Sequence, residues 1–219
     1  MGHLFHLIVF DLDGTLVDSR RDIADAVNAL LIERGAPALS EGTIGRMVGD
    51  GAAMLVARAL EAAGLAMTPD ALPRFIELYD ERLLVHTRPY PDIPDVLAGL
   101  AERASLAVLT NKPIDATRRI LAGLDLARYF AGDRVMGGDG PFPRKPDPTA
   151  LRHLAEAAGV PLEETVLVGD SIIDWRTARN AEAAVCLARY GFGFAAFPIE
   201  QLRAGEWIVE SPADLLATL

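Results

Sequence analysis

The chain has 219 residues and a mass of 23.5 kDa, enough for one large domain or for a core with a smaller companion. Hydrophobic residues make up 51% and charged residues 24%, ordinary globular usage that excludes a disordered chain. A formal charge of −10 and a pI near 4.8 argue against nucleic acid or an anionic membrane as partner, but leave room for a small anion held by local cations or a metal.

In chain order, the apolar run at 7–10 predicts a strand. Residues 19–86 then show helical periodicity only. Ile23, Ala26, Val27, Leu30 and Leu31 form a stripe ended by Gly35. Met54, Leu55, Ala59 and Leu60 form a second, ended by Gly64, and Leu72, Phe75, Ile76, Tyr79, Leu83 and Leu84 a third. The entry turn is expected at 17–19 and the exit at 87–94, stiffened by Pro89, Pro91 and Pro94. Beyond it, strands are expected at 106–109, 134–136, 166–168, 184–187 and 207–209, with helices at 92–103, 114–124, 148–158 and 172–181. A last helix would have Ser211 as N-cap and Pro212 at its first position. This alternation predicts an α/β fold: a doubly wound, Rossmann-like parallel sheet over 1–18 and 87–219, with a small all-helical domain at 19–86 inserted after the first strand.

The longest stretches without Asp, Glu, Lys or Arg, 1–10 and 190–199, fall short of the roughly 20 residues of a membrane span. No basic segment precedes the first apolar run, so no secretory signal is expected. The single cysteine, Cys186, sits in a strand-like apolar run and suits a reducing cytoplasm. His3, His6, His86 and His153 lack metal-ligand spacing and read as scaffold or surface, and Trp175 and Trp207 as packing residues. The stretch at 190–199, with four aromatics and two glycines, reads as a loop packed on the core or as a dimer contact.

The strongest chemical signal is Asp11-Leu12-Asp13-Gly14-Thr15-Leu16. Two carboxylates two residues apart, just past an apolar strand, can both face the crevice where open α/β sheets bind ligands. Gly14 allows a turn that keeps the backbone close to both acids. The competing reading is an acidic turn capping a helix. Three more segments fall beside strand ends or helix starts. Thr110-Asn111-Lys112-Pro113 offers a hydroxyl and N–H groups to an oxyanion, or a simple helix cap. Arg144-Lys145-Pro146-Asp147-Pro148 offers a cation among prolines, with Arg144 a rival to Lys145. Gly169-Asp170-Ser171-Ile172-Ile173-Asp174 sets two acids four apart, facing the crevice or capping a helix. Taken together on one sheet edge, four carboxylates cannot stay ionised side by side without a cation. A hard divalent ion such as magnesium resolves this and leaves positions for water and phosphate. With Lys and Thr beside it, the set suits phosphoryl transfer.

These segments, in this order and spacing, look like the four motifs of the haloacid dehalogenase superfamily, and the resemblance covers nearly the whole chain. The insertion at 19–86 resembles that superfamily's helical cap of the first type. Met47-Val48-Gly49-Asp50-Gly51, Tyr90-Pro91, Thr110-Asn111-Lys112-Pro113 and Lys145-Pro146-Asp147-Pro148 look closer to its phosphoglycolate phosphatases. Asp92 stands where such proteins usually carry Gly, and 189–191 where many have Thr-Gly-Tyr. The resemblance implies that Asp11 attacks phosphorus to form an aspartyl-phosphate, and that Asp13 acts first as general acid and then as general base. It implies Mg2+ held by Asp11, the backbone carbonyl of Asp13 and Asp170, with Asp174 supporting the ion directly or through water. Thr110, Asn111 and Lys145 would hold the phosphoryl group. Arg46 and Lys112 are candidates to meet a second negative group on the substrate, such as the carboxylate of 2-phosphoglycolate. The expected activity is hydrolysis of 2-phosphoglycolate to glycolate and phosphate. A phosphomutase, a phosphatase or pyrophosphatase of other specificity, and a silent relative that only binds a phosphorylated metabolite are the alternatives. Asp13 speaks against a dehalogenase, whose halide leaves without a proton. The expected setting is cytoplasmic, as a monomer or homodimer, with a small phosphorylated metabolite as partner.

Overall fold

Apolar runs such as Leu-Ile-Val-Phe in β1 (Leu7–Phe10) have no polar face to give to water, and they form the centre of the molecule. The computed structural model describes residues 5–219, so His3 lies outside the described residues. After β1 come a two-residue strand, β2 (Val17–Asp18), and four helices, α1 (Arg20–Glu33), α2 (Glu41–Gly45), α3 (Ala52–Ala62) and α4 (Ala71–Asp80). A second short strand, β3 (Arg88–Pro89), opens an alternating series: α5 (Ile93–Ala101), β4 (Ser105–Leu109), α6 (Ile114–Gly123), β5 (Val135–Met136), α7 (Thr149–Ala158), β6 (Thr165–Gly169), α8 (Ile172–Ala181) and β7 (Ala184–Ala188). The chain finishes with β8 (Trp207–Val209) and α9 (Leu215–Thr218).

Six strands form one sheet in the order β5-β4-β1-β6-β7-β8, and every pairing is parallel. Period-two alternation divides the sheet's side chains between two apolar layers. Leu7, Val9, Leu109, Leu167 and Leu187 pack with α7 and α8 on one face. Ile8, Phe10, Val108, Val166 and Cys186 pack with α5 on the other, and that cluster continues into the interior of the inserted helices through Val27, Leu60 and Phe75. Burial pushes the Cys186 thiol up to about 12, which leaves it inert.

The two crossings between sheet and inserted helices lie side by side. β2 and β3 pair antiparallel, Val17 opposite Pro89 and Asp18 opposite Arg88. Fully buried Asp22, on the first turns of α1, accepts the Thr87 hydroxyl and the backbone N–H groups of His86 and Thr87 at 2.7–3.0 Å, which fastens the exit to the entry. The short strands β2 and β3 and the five-residue α2 are not expected from sequence, because none of them carries an apolar run or a readable period. The expected terminal helix starts as a 3-10 turn, Pro212–Asp214, capped by Ser211, before α9 continues it. Asp92 is the N-cap of α5 and has φ 67°, a left-handed conformation that glycine adopts without strain.

The remaining singled-out residues serve packing. His6 Nδ1 lies 2.6 Å from Glu164 at the surface, and the His153 ring packs 4.7 Å from Phe142. Trp175 packs on Phe197 and donates to Glu206, and Trp207 meets the edge of Phe5. No helix among the described residues is long and apolar enough to cross a membrane.

Candidate active site

Strand register sets the site. Phe10 lies level with Val108 of β4 and Val168 of β6, so Asp11, Thr110 and Asp170 emerge together at the carboxyl ends of three adjacent strands. The Asp11 N–H donates to the Val168 carbonyl at 2.9 Å, which continues the ladder one residue past β1. Gly14, with φ 89°, then turns the chain, and a Cβ there would lie 1.9 Å from Asp170 Oδ2. Only a glycine lets this loop approach Asp170.

On the sheet side, Asp11, Asp170 and Asp174 are buried with carboxylate oxygens within 4.8 Å of one another. Lys145 Nζ lies 2.9 Å from Asp11 Oδ1 and donates to Asp174 Oδ1 at 2.6 Å. The contact with Asp11 is an ion pair off the hydrogen-bonding direction, so that buried oxygen accepts no aligned bond. Asp174 Oδ2 accepts from the Ser171 hydroxyl at 2.6 Å and its backbone N–H at 3.0 Å, a capping box at the start of α8. With both oxygens engaged, Asp174 orients Lys145. Arg144 is exposed and donates to the Gly138 carbonyl, so the buried Lys145 is the cation that meets the acids.

Burial, then the charge of Asp174, raises Asp11 to about 6 against the pull of Lys145. Burial and the charges of Asp174 and Asp11 push Asp170 well above the usual carboxylate range. Burial opposes the Lys145 ammonium, but Asp11 and Asp174 outweigh it and raise its pKa. Three buried acids with one lysine are short of positive charge, and their donors are all hard oxygens. That composition fits a divalent cation of the magnesium type.

Asp13 faces elsewhere. Its carboxylate takes Lys112 Nζ at 3.0 and 3.1 Å and the Ser19 hydroxyl at 2.5 Å. Lys112 Nζ also donates to the Tyr79 hydroxyl of α4 at 2.6 Å and sits 4.5 Å from the centre of that ring. Burial opposes the Lys112 ammonium, but Asp13 and Tyr79 outweigh it and raise its pKa; burial in turn lifts the Tyr79 phenol to about 12. A cavity of about 120 Å3 between sheet edge and inserted helices is lined by Asp11, Asp13, Thr110 and Lys112 on one side and by apolar residues such as Leu55 and Phe75 on the other.

The structure thus brings together Asp11, Asp13, Thr110, Lys112, Lys145, Asp170 and Asp174. One expected residue takes another place. Arg46 is exposed at the C-terminal end of α2 and does not line this cavity, because the short α2 carries it outward. Asn111 lines the cavity beside Thr110, and its side chain accepts from the Lys145 N–H and donates to the carbonyls of Lys145 and Gly49, each at 2.9 Å. It clamps the Lys145 loop and ties it to the inserted helices. Ser19 and Tyr79 were not anticipated, since a hydroxyl before a helix and a tyrosine in an apolar stripe read as cap and core. Within the stretch at 190–199, residues 190–193 pack over Asp170.

A parallel α/β sheet with paired aspartates past its central strand, a buried lysine and a further acid pair defines a hydrolase-type crevice. The haloacid dehalogenase-like hydrolase family matches residues 8–188, and the chain belongs to that family. It is 41% identical over 194 residues to a phosphoglycolate phosphatase of Rhodospirillum rubrum, covering 84% of this chain and 80% of the relative. It is 39% identical over 189 residues to a plasmid-borne phosphoglycolate phosphatase of Cupriavidus necator, covering 84% and 81%. The crystal structure of a predicted phosphoglycolate phosphatase from Haemophilus somnus superposes with a TM-score of 0.88 at 33% identity, over 97% of each chain.

Proposed function

We propose that this chain is a magnesium-dependent phosphomonoesterase that works through an aspartyl-phosphate on Asp11 and hydrolyses 2-phosphoglycolate to glycolate and phosphate. The observation that carries the reading is the division of the paired acids between two cations, Asp11 with Lys145 and Asp13 with Lys112. Two carboxylates in separate environments take separate roles.

An Asp11 oxygen attacks phosphorus, the bond from phosphorus to the ester oxygen breaks, and Asp13, which takes up a proton as Lys112 turns to the substrate carboxylate, gives that proton to the departing alkoxide. Asp13 then takes a proton from water as that water attacks the same phosphorus, which releases phosphate and restores Asp11. Lys145 and the Thr110 hydroxyl hold the phosphoryl oxygens as charge moves onto them. Asp11, the Asp13 carbonyl and Asp170 would hold Mg2+, which supplies charge neutralisation to the phosphoryl group when bound. Residues 19–86 act as a cap over a core formed by 1–18 and 87–219, closing the crevice to water. The paired crossings and the contacts of Tyr79 and Gly49 with the sheet edge support this division. Lys112, with the Tyr79 hydroxyl, would meet the substrate carboxylate, being the one cation among the described residues that line the cavity.

The names of the relatives point to the same substrate. A phosphate-release panel with and without Mg2+ tests the reading. Turnover should require Mg2+, and 2-phosphoglycolate should exceed glycerol phosphate, pyrophosphate and nucleoside monophosphates by on the order of 100-fold in kcat/KM. A flat profile would remove the substrate assignment, and no release from any compound would remove the phosphatase.

A further inference from the structure

Asp170 is enclosed by glycines from two distant parts of the chain. Beside Gly14, a Cβ on Gly191 would lie 2.3 Å from Asp170 Cβ and 2.2 Å from the Gly14 carbonyl oxygen, and one on Gly193 would lie 2.9 Å from Asp170 Oδ2. Neither Gly191 nor Gly193 has a positive φ, and Gly193 sits in an ordinary right-handed conformation at φ −76°. Backbone freedom therefore does not explain glycine at these positions; the missing side chain does. The Gly193 N–H donates to Asp170 Oδ2 at 2.7 Å, which fixes one oxygen of that carboxylate.

The residues between and before these glycines fasten the loop. The Tyr190 hydroxyl donates to the Thr15 carbonyl at 3.0 Å, in the same loop as Asp11 and Asp13. Its ring meets Tyr90 edge-on at 5.0 Å, beside the exit crossing. The Arg20 guanidinium, at the entry crossing, lies 5.6 Å from the centre of the Phe192 ring. One short loop thus touches Asp170, the loop of the paired acids, and both crossings.

We propose that residues 190–193 form a positioning strap for the metal centre. The strap aims Asp170 through the Gly193 N–H and by admitting no side chain at 191 or 193, so Asp170 is preset to share a cation with Asp11. This rests on the divalent-cation reading of the acid cluster. Supporting residues of this kind typically change metal affinity by about 10–100-fold when altered.

The test is direct binding of Mn2+, counted by electron paramagnetic resonance on the full chain after metal removal, alongside the melting temperature of the metal-free protein. Gly193→Ala keeps the N–H, and the three atoms nearest its methyl all belong to the Asp170 side chain. It should weaken Mn2+ binding about 10–100-fold while the metal-free melting temperature stays near wild type. Gly191→Ala, whose methyl also meets backbone, should weaken binding at least as much; if it fails to fold, Gly193→Ala decides. A Gly193→Ala protein that binds Mn2+ as tightly as wild type overturns the strap. A wild-type chain that binds no Mn2+ overturns the cation reading beneath it, so the two failures are told apart.

Discussion

The floor and the roof of the crevice are built differently. The floor is made of strand ends, where parallel register delivers Asp11, Thr110 and Asp170 to one edge and leaves each little freedom. The roof is made of side chains from helices α1, α3 and α4, mostly apolar, with Tyr79 its polar contact to Lys112. The floor has surplus negative charge and raised carboxyl pKa values, whereas the Asp13–Lys112–Tyr79 group under the roof is charge-matched. Chemistry common to a family sits naturally on the over-determined floor. In the proposed function, discrimination between substrates falls to the few polar groups the roof leaves exposed to the cavity.

The largest effect is expected from breaking the floor. Asp170→Asn should lower turnover by about 1,000-fold or more, since the cation's charge stabilisation is worth several kcal/mol. The same change removes a buried acid whose carboxyl is held well above its ordinary range, a cost to folding at neutral pH, so the metal-free protein should melt about 2–4 °C higher at pH 7.5. Loss of activity with a gain in stability separates a site under electrostatic strain from one that holds the fold together. Lys112→Met strikes the other side. It should cut kcat/KM for 2-phosphoglycolate about 100-fold, as loss of one partner in a buried charge pair costs about 2–5 kcal/mol. Its preference for 2-phosphoglycolate over ethyl phosphate should collapse, whereas exposed Arg46→Ala should stay within about twofold of wild type.

The surplus charge of the floor also sets a pH dependence. Asp11 has a folded pKa of about 6 against an ordinary value of 3.8, so the folded metal-free protein holds the extra proton. Its contribution to stability is full below pH 3.8 and is lost as pH rises through about 6. A divalent cation needs ionised oxygens and offsets that loss. Saturating Mg2+ should therefore raise the melting temperature more at pH 7.5 than at pH 5; equal shifts would remove the carboxylates as its site. The smallest effect lies away from both regions: Asp92→Gly should stabilise the protein by about 0.5 kcal/mol in denaturant titrations, as relief of left-handed strain slightly exceeds the entropy glycine loses.

The same contrast governs what the sequence revealed. Strand ends followed by Asp, Thr or Gly are local signals, so β1 and the motifs after β4 and β6 could be read directly, and the sheet followed from their alternation. Tyr79 meets Lys112 across 33 positions and Gly193 meets Asp170 across 23, and no local pattern marks either pair. Asn111 shows the limit from another side: its neighbours mark it as a phosphate ligand, and only the fold shows that its side-chain amide clamps the backbone of the Lys145 loop. Arg46 offers a charge in the inserted segment, and the direction of a five-residue helix cannot be read from composition.

The most direct test of the account is to identify the acceptor of the phosphoryl group. Wild-type enzyme quenched in acid during turnover of 2-phosphoglycolate with Mg2+, then reduced with borohydride, should yield homoserine at position 11, because only an acyl phosphate is reduced there. Homoserine at position 170 or 174 instead, or at none during active turnover, would contradict Asp11 as the nucleophile.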